Sequence, residues 1–160
     1  MLAAVAAAAA AAGRARRSRG WPRGWTGGGL SFFHSVIWDK INPGLGWRYR
    51  RQHEMIMVGH PAGGKLLWRD EHEAVPNVLR YSKPRDAEHP NQKPIELVSK
   101  FILAHTKPGQ LVVDPFCGSG TTPLAAERLD RKWIGIELDP KHFATAEANI
   151  AVERAQGRLF

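Results

Sequence analysis

The residue types best suited to chemistry lie between positions 114 and 137. Asp114 closes the apolar run Gln110 to Asp114 (QLVVD), the glycine-rich stretch Pro115 to Gly120 (PFCGSG) follows, and Glu137 stands 23 positions after Asp114. Gly118 and Gly120 remove side chains where a ligand must approach the backbone, and a helix starting just beyond them offers free N–H groups. Asp114 ends a strand, and open α/β sheets bind ligands beyond the carboxyl ends of their strands. Glu137, at the end of the next strand, is placed to accept hydrogen bonds from the two hydroxyls of a ribose. Two acids around a glycine turn therefore describe a pocket for a ribose joined to a cationic or amino-bearing group.

Three nucleotide ligands compete for that description. A dinucleotide fingerprint requires a third glycine where this chain has Pro123, and a phosphate-binding loop requires a lysine that Gly120-Thr121-Thr122 lacks. S-adenosylmethionine has no phosphate, offers an α-amino group to Asp114 and a ribose to Glu137, and fits best. A glycine turn that only packs helix on strand is the plain alternative, and the two correctly placed acids argue against it.

Positioning these groups calls for a strand over 110–114, a turn, a helix over 121–129, a strand over 132–138 and a helix over about 141–153. Thr121 or Thr122 can cap the first helix, and Pro123 suits its first turn. In the last helix Phe143, Ala144, Ala146, Ala148 and Ile150 supply much of the apolar content. Strand–helix–strand–helix at this spacing predicts an α/β fold with a parallel sheet covered by helices. Upstream, Pro94 opens a helix over Ile95 to His105, with Ile95, Leu97, Val98, Phe101 and Ile102 at helical spacing. Ser31 to Trp38 and Arg50 to Gly59 read as strands, the second with Met55 to Val58 buried, separated by the turn Asn42-Pro43-Gly44. Residues 60–88 read as loop or insertion with a short strand at 78–81.

Asp114-Pro115-Phe116-Cys117-Gly118-Ser119-Gly120-Thr121-Thr122, followed by Gly135-Ile136-Glu137-Leu138-Asp139-Pro140, resembles the amino-group DNA methyltransferases, which modify adenine N6 or cytosine N4. His89 to Leu97 (HPNQKPIEL) is similar to the family's other cofactor motif, and its place upstream of the glycine turn resembles the permuted β-type order. Trp38-Asp39-Lys40 and Gly46 to Glu54 (GWRYRRQHE) resemble the segment after the family's catalytic loop. The resemblance covers about residues 31–154 and implies a Rossmann-like S-adenosylmethionine-dependent methyltransferase fold, permuted and with an incomplete sheet.

Carried over by position, it implies that Asp114 and Phe116 hold the methionine and adenine parts of S-adenosyl-L-methionine. Gly118 and Gly120 give close backbone approach, Ser119, Thr121 and Thr122 line the turn, and Glu137 and Leu138 meet the nucleoside. Lys93 and its neighbours Asn91, Gln92 and Pro94 contact the methionine end. The family's catalytic tetrapeptide, an Asp, Asn or Ser followed by Pro-Pro and an aromatic, is expected before Trp38, and no Pro-Pro occurs in the chain. No catalytic residue is therefore assigned, and a truncated or disrupted member is expected. Such a loop accepts the hydrogen bonds of the exocyclic amine and stacks on the flipped base.

The chain has 160 residues and a formal charge of +8, but residues 1–30 carry five arginines and no acid. Residues 31–160 hold 18 basic against 15 acidic residues, a net of +3, so charge alone argues only weakly for a polyanion. The Ala-, Arg- and Gly-rich 1–30 reads as a disordered extension, ahead of a basic nucleic-acid arm or a transit peptide. Residues 31–160 form the methyltransferase domain, with 60–88 as a target-recognition insertion. One cysteine excludes an intramolecular disulfide, and no apolar run reaches the roughly 20 residues that span a bilayer. His53-Glu54 and His72-Glu73 do not continue to a metal-binding HExxH, and Cys117 reads as a small packing residue. Arg48, Arg50 and Arg51 are either contacts to double-stranded DNA phosphates or a solvated strand end, and Trp47 and Trp68 read as packing residues. Two functions follow: a cytoplasmic DNA amino-methyltransferase, or a catalytically dead cofactor- or DNA-binding remnant.

Overall fold

The computed structural model describes residues 29–64, 66–68, 74–84 and 92–156. The low-complexity arm over 1–28, His72-Glu73, His89 to Asn91 and parts of 60–88 lie outside the described residues.

The first half is built on three strands, β1 (Leu30–Asp39), β2 (His53–Pro61) and β3 (Val78–Arg80). Apolar, β-branched and aromatic residues in β1 and β2 favour a pleated, half-buried surface. The two pair antiparallel as a hairpin, from Leu30 opposite Pro61 to Asp39 opposite His53, while β3 adds to β1 in parallel. The second half alternates: α1 (Ile95–His105), β4 (Leu111–Asp114), α2 (Thr121–Arg128), β5 (Lys132–Gly135), α3 (Pro140–Gln156). Strands β4 and β5 pair in parallel, with Asp114 opposite Gly135.

Helix α1 serves two cores because its apolar residues occupy two adjacent stripes. Leu97 and Phe101, one turn apart, pack with Trp38 of β1 and Leu79 of β3. Val98 and Ile102, the neighbouring stripe, pack with Val112 of β4 and Ala125 and Ala126 of α2. Below α1, the buried Arg131 guanidinium donates to both the hydroxyl and the carbonyl of Thr106 and to the carbonyl of Leu129. That fixes the end of α1 to the α2–β5 connection and satisfies a charge that burial would otherwise penalise.

Several expectations need correction. Among the described residues the five strands form two sheets, and the β2-β1-β3 sheet is mixed in direction. Met55 is exposed and Ile56 to Val58 are only half-buried, because β2 packs one face on the core and leaves part of its surface wet. β5 stops at Gly135, so Ile136, Glu137 and Leu138 lie past its end. Neither Thr121 nor Thr122 caps α2: Gly120 is its N-cap and no side chain bonds the free N–H groups there. In α3, Phe143, Ala144 and Ala148 face outward, and only Ala146 and Ile150 are buried.

Candidate cofactor site

The turn after β4 is shaped by hydrogen bonds that start from Asp114. Its Oδ1 accepts from the Phe116 N–H at 3.0 Å, and its carbonyl accepts from Ile136 N–H at 2.9 Å. The Cys117 N–H returns the contact to the Ile136 carbonyl at 3.0 Å, so the parallel pairing continues one step beyond the strands. Gly118 and Gly120 both lie in the left-handed region, at φ 55° and 88°. They differ in what surrounds them. Gly118 faces open space, whereas a Cβ at Gly120 would come within 2.9 Å of the Ala146 methyl on α3. Gly118 is thus the position where backbone is laid bare, and Gly120 lets α2 and α3 close on each other. Asn149 of α3 adds a hydrogen bond to the Ser119 carbonyl at 3.1 Å.

Glu137 is tied down by the backbone around it. Its Oε2 accepts from the Gly118 N–H at 2.8 Å, and its Oε1 from the N–H groups of Leu138 and Asp139, both at 3.0 Å. The Asp139 N–H first, with those of Gly118 and Leu138, holds the carboxyl below the usual glutamate range. Three of its roughly four acceptor positions are filled, which leaves one for a hydroxyl from outside. Phe116 and Leu138, on the same turn region, are 80% and 96% exposed, an apolar pair that no described residue covers. The Cys117 thiol is half-buried beneath the turn, and its Sγ sits where a Cβ on Gly135 would come within 2.9 Å. Burial, then the charges of Asp114 and Glu137, push that thiol up from its ordinary value.

A second group of the expected residues meets elsewhere. Lys93 and Pro94, ahead of α1, line a cleft of about 520 Å³ with Ser119, Thr121 and Gln92. Asn149 and Tyr81 also reach it. Gln92 Oε1 is buried without a hydrogen-bond partner among the described residues, an acceptor left for something the cleft receives. Thr122 and Gly120 are buried, and Asp114, Phe116, Gly118, Glu137 and Leu138 form the other cluster at the carboxyl ends of β4 and β5. The glycine turn joins the two clusters.

Two partners were not singled out from sequence. Lys93 Nζ bonds Glu54 at 2.6 Å, and Lys40 bonds the same carboxylate at 2.8 Å. Pairings of residues 39 apart, as for Lys93 and Glu54, leave no local spacing signal. Trp47 does not pack as expected: it is 84% exposed, with the Arg48 guanidinium 5.0 Å from its ring. Trp68 does pack, edge-on against the His105 ring. Arg48, Arg50 and Arg51 are exposed on the loop between β1 and β2, and Arg50 donates to the carbonyls of Gly44 and Pro43.

The parallel β4–β5 pair, its glycine turn and the acid past the second strand define the S-adenosylmethionine-dependent methyltransferase fold. A profile of the N6/N4 DNA methylase family matches residues 23–148, and the chain belongs to that family. It is 44% identical over 142 residues to the Type II methyltransferase M2.DpnII of Streptococcus pneumoniae, an alignment covering 78% of this chain and 53% of that protein. The Type II methyltransferase M.Cfr9I of Citrobacter freundii is 45% identical over 76 residues, 48% of this chain and 24% of that one. The chain therefore spans about half the length of the first relative and a quarter of the second. Among solved structures, the M1.HpyAVI–SAM complex superposes with a TM-score of 0.67 at 32% identity, over 77% of this chain and 64% of that one. The cytosine-N4-specific PvuII DNA methyltransferase gives 0.62 at 26% identity, over 74% and 51%.

Proposed function

We propose that this chain binds S-adenosyl-L-methionine at the glycine turn and serves methyl transfer to adenine N6 or cytosine N4 of DNA. The observation that carries the reading is Glu137, a charged carboxylate fixed by three N–H groups with one acceptor position left. Glu137 accepts a ribose hydroxyl there, and for the second hydroxyl to bind, one backbone donor on Oε1 gives way. Phe116 and Leu138 cover the faces of the adenine, and bare Gly118 admits the cofactor to the backbone. Lys93 and Gln92 meet the carboxylate and ammonium of the methionine end. When bound, the cofactor supplies an electrophilic methyl group. The family assignment and the SAM complex of M1.HpyAVI support the same ligand.

Double-stranded DNA is the proposed substrate, approached by Arg48 and Arg51 beside exposed Trp47, with 60–88 as the proposed reader of sequence. No helix among the described residues is long and apolar enough to cross a membrane, and a DNA substrate suits a cytoplasmic protein. A second reading, cofactor and DNA binding without transfer, is favoured by the absence of any Pro-Pro-aromatic tetrapeptide in these 160 residues. Calorimetric titration with S-adenosylmethionine, run beside a tritiated-methyl transfer assay on mixed-sequence DNA, separates the two. Binding with transfer supports the enzyme, binding without transfer supports the second reading, and no binding rejects both.

A further inference from the structure

Glu54 lies on β2 directly opposite Trp38 of β1. Its two oxygens are divided between lysines from different parts of the chain. Oε1 meets Lys40 Nζ at 2.8 Å, just past the end of β1, and Oε2 meets Lys93 Nζ at 2.6 Å, two residues before α1. Both ammonium groups also stand over the Trp38 ring, 5.5 and 5.3 Å from its centroid. Trp38 is 1% exposed, and its indole N–H donates to the Tyr81 carbonyl at 2.8 Å, so the ring cannot turn away. Burial works against the Glu54 charge, but hydrogen bonds and charge from Lys40 and Lys93 outweigh it and hold the carboxyl below the usual range.

This cluster connects the β1–β2 hairpin to the wall of the cleft, which Lys93 lines and Glu54 does not. Lysine is a point charge on a flexible four-carbon stem, and it needs outside contacts to hold one place. The Trp38 face attracts both ammonium groups, which repel each other, and the shared carboxylate between them relieves that repulsion. Two cations against one carboxylate leave one positive charge in excess at the cleft wall. An ion pair serving stability alone would have no need of the cleft, and partly exposed pairs contribute little to folding.

We propose that Glu54 is a positioning residue: with Lys40 and Trp38 it sets the Lys93 ammonium at the cleft wall, ready for the anionic end of the ligand. This rests on the cofactor reading above, in which that end is the methionine carboxylate. Preset charge raises affinity by sparing the ordering cost on binding.

The test uses the full chain and two probes, S-adenosylhomocysteine and 5′-methylthioadenosine, the second lacking the amino-acid portion. Glu54→Gln is expected to weaken S-adenosylhomocysteine about tenfold while leaving methylthioadenosine within about twofold. Lys93→Met should do the same, and the double variant should be no worse than Lys93→Met alone, as for residues acting through one another. Unchanged S-adenosylhomocysteine affinity in Glu54→Gln, equal losses on both probes, or additive losses would each overturn the proposal. Amine labelling of the unliganded protein supplies an independent reading: Lys93 should react slowly in the parent chain and faster in Glu54→Gln. If the parent binds neither probe, the cofactor reading fails, and an unchanged Lys93 labelling rate then rejects the positioning role too. Should Glu54→Gln fail to fold, Glu54→Asp, which keeps the charge but shortens its reach, carries the same measurements with the same expected directions.

Discussion

Glu137 shows how much one side chain is asked to do. Its carboxylate gathers the N–H groups of Gly118, Leu138 and Asp139, so it shapes the turn that it also offers to a ligand. Glu137→Gln leaves a single acceptor oxygen for that work. Titration with S-adenosylmethionine should then show about a ten- to hundredfold weaker affinity, the loss of one charge-assisted bond. Acid provides a second check. A carboxyl held below its ordinary value keeps its charge as the pH passes the usual glutamate range, about 4.3, and loses it only lower down. Affinity for S-adenosylhomocysteine should therefore persist through that range and fall below it; a fall centred on the ordinary value would contradict the geometry. Cys117 supplies a further prediction from the same charges. Its raised thiol should react slowly with iodoacetamide near pH 7.5, and Glu137→Gln, by removing a neighbouring negative charge, should speed the reaction. The residue types of this site were legible in sequence because acids and glycines at such spacing have few other uses. The bonds of Glu137 to its own turn were not, because they exist only when β5 stops at Gly135. The Glu54–Lys93 pair was equally hidden, since it depends on two elements meeting.

Among the elements, the start of α2 carries the tightest constraint. Gly120 combines a left-handed backbone with a 2.9 Å approach to the Ala146 methyl, so the glycine is required twice over. Gly120→Ala should cost about 2–4 kcal/mol in denaturant unfolding, from the backbone penalty plus overpacking. Adding Ala146→Gly should recover the steric part and leave the backbone part, about 1–2 kcal/mol, plus about 1 kcal/mol for the new glycine in α3. Full recovery would mean that the left-handed conformation costs nothing, and a double variant less stable than Gly120→Ala by the whole helix cost of the glycine would mean that α3 does not press on the turn. The helices were well marked in sequence: α1 runs from Ile95 to His105 as its apolar spacing and Pro94 predict. The short strands were less so. Periodicity over four residues cannot show where pairing ends, and an apolar run such as Met55 to Val58 does not say which face meets the core. The cap of α2 was misread for a related reason. Threonine is a good cap in general, but the left-handed residue that α2 needs at its N-cap is a glycine.

At the scale of the molecule, charge and architecture point to one face. The five arginines in 1–30 leave residues 31–160 with only +3, so within 31–160 the proposed attraction to DNA rests on local placement of charge. The β1–β2 loop is such a place: Arg48 and Arg51 are exposed there, beside Trp47 and Tyr49, at the same end of the hairpin where Glu54 holds Lys93. The order of motifs in sequence foretold which segments would form the glycine turn between β4 and α2. It could not foretell that α1 would bind both sheets to one helix, because that needs the two apolar stripes to find different partners. Arg50 differs from its neighbours, since its guanidinium is spent on the carbonyls of Gly44 and Pro43. Each phosphate contact adds close to one unit to the salt dependence of DNA affinity. The paired change Arg48→Ala with Arg51→Ala should therefore lower the slope of log affinity against log salt by about two, almost equally for any DNA sequence. Arg50→Ala should leave that slope nearly unchanged and instead loosen the loop, seen as faster amide exchange over residues 42–51. Fluorescence anisotropy of a labelled duplex from 50 to 300 mM salt measures the slopes. If Arg50→Ala lowered the slope as much per residue as the other two, its loop bonds would be incidental and all three arginines would belong to the DNA face.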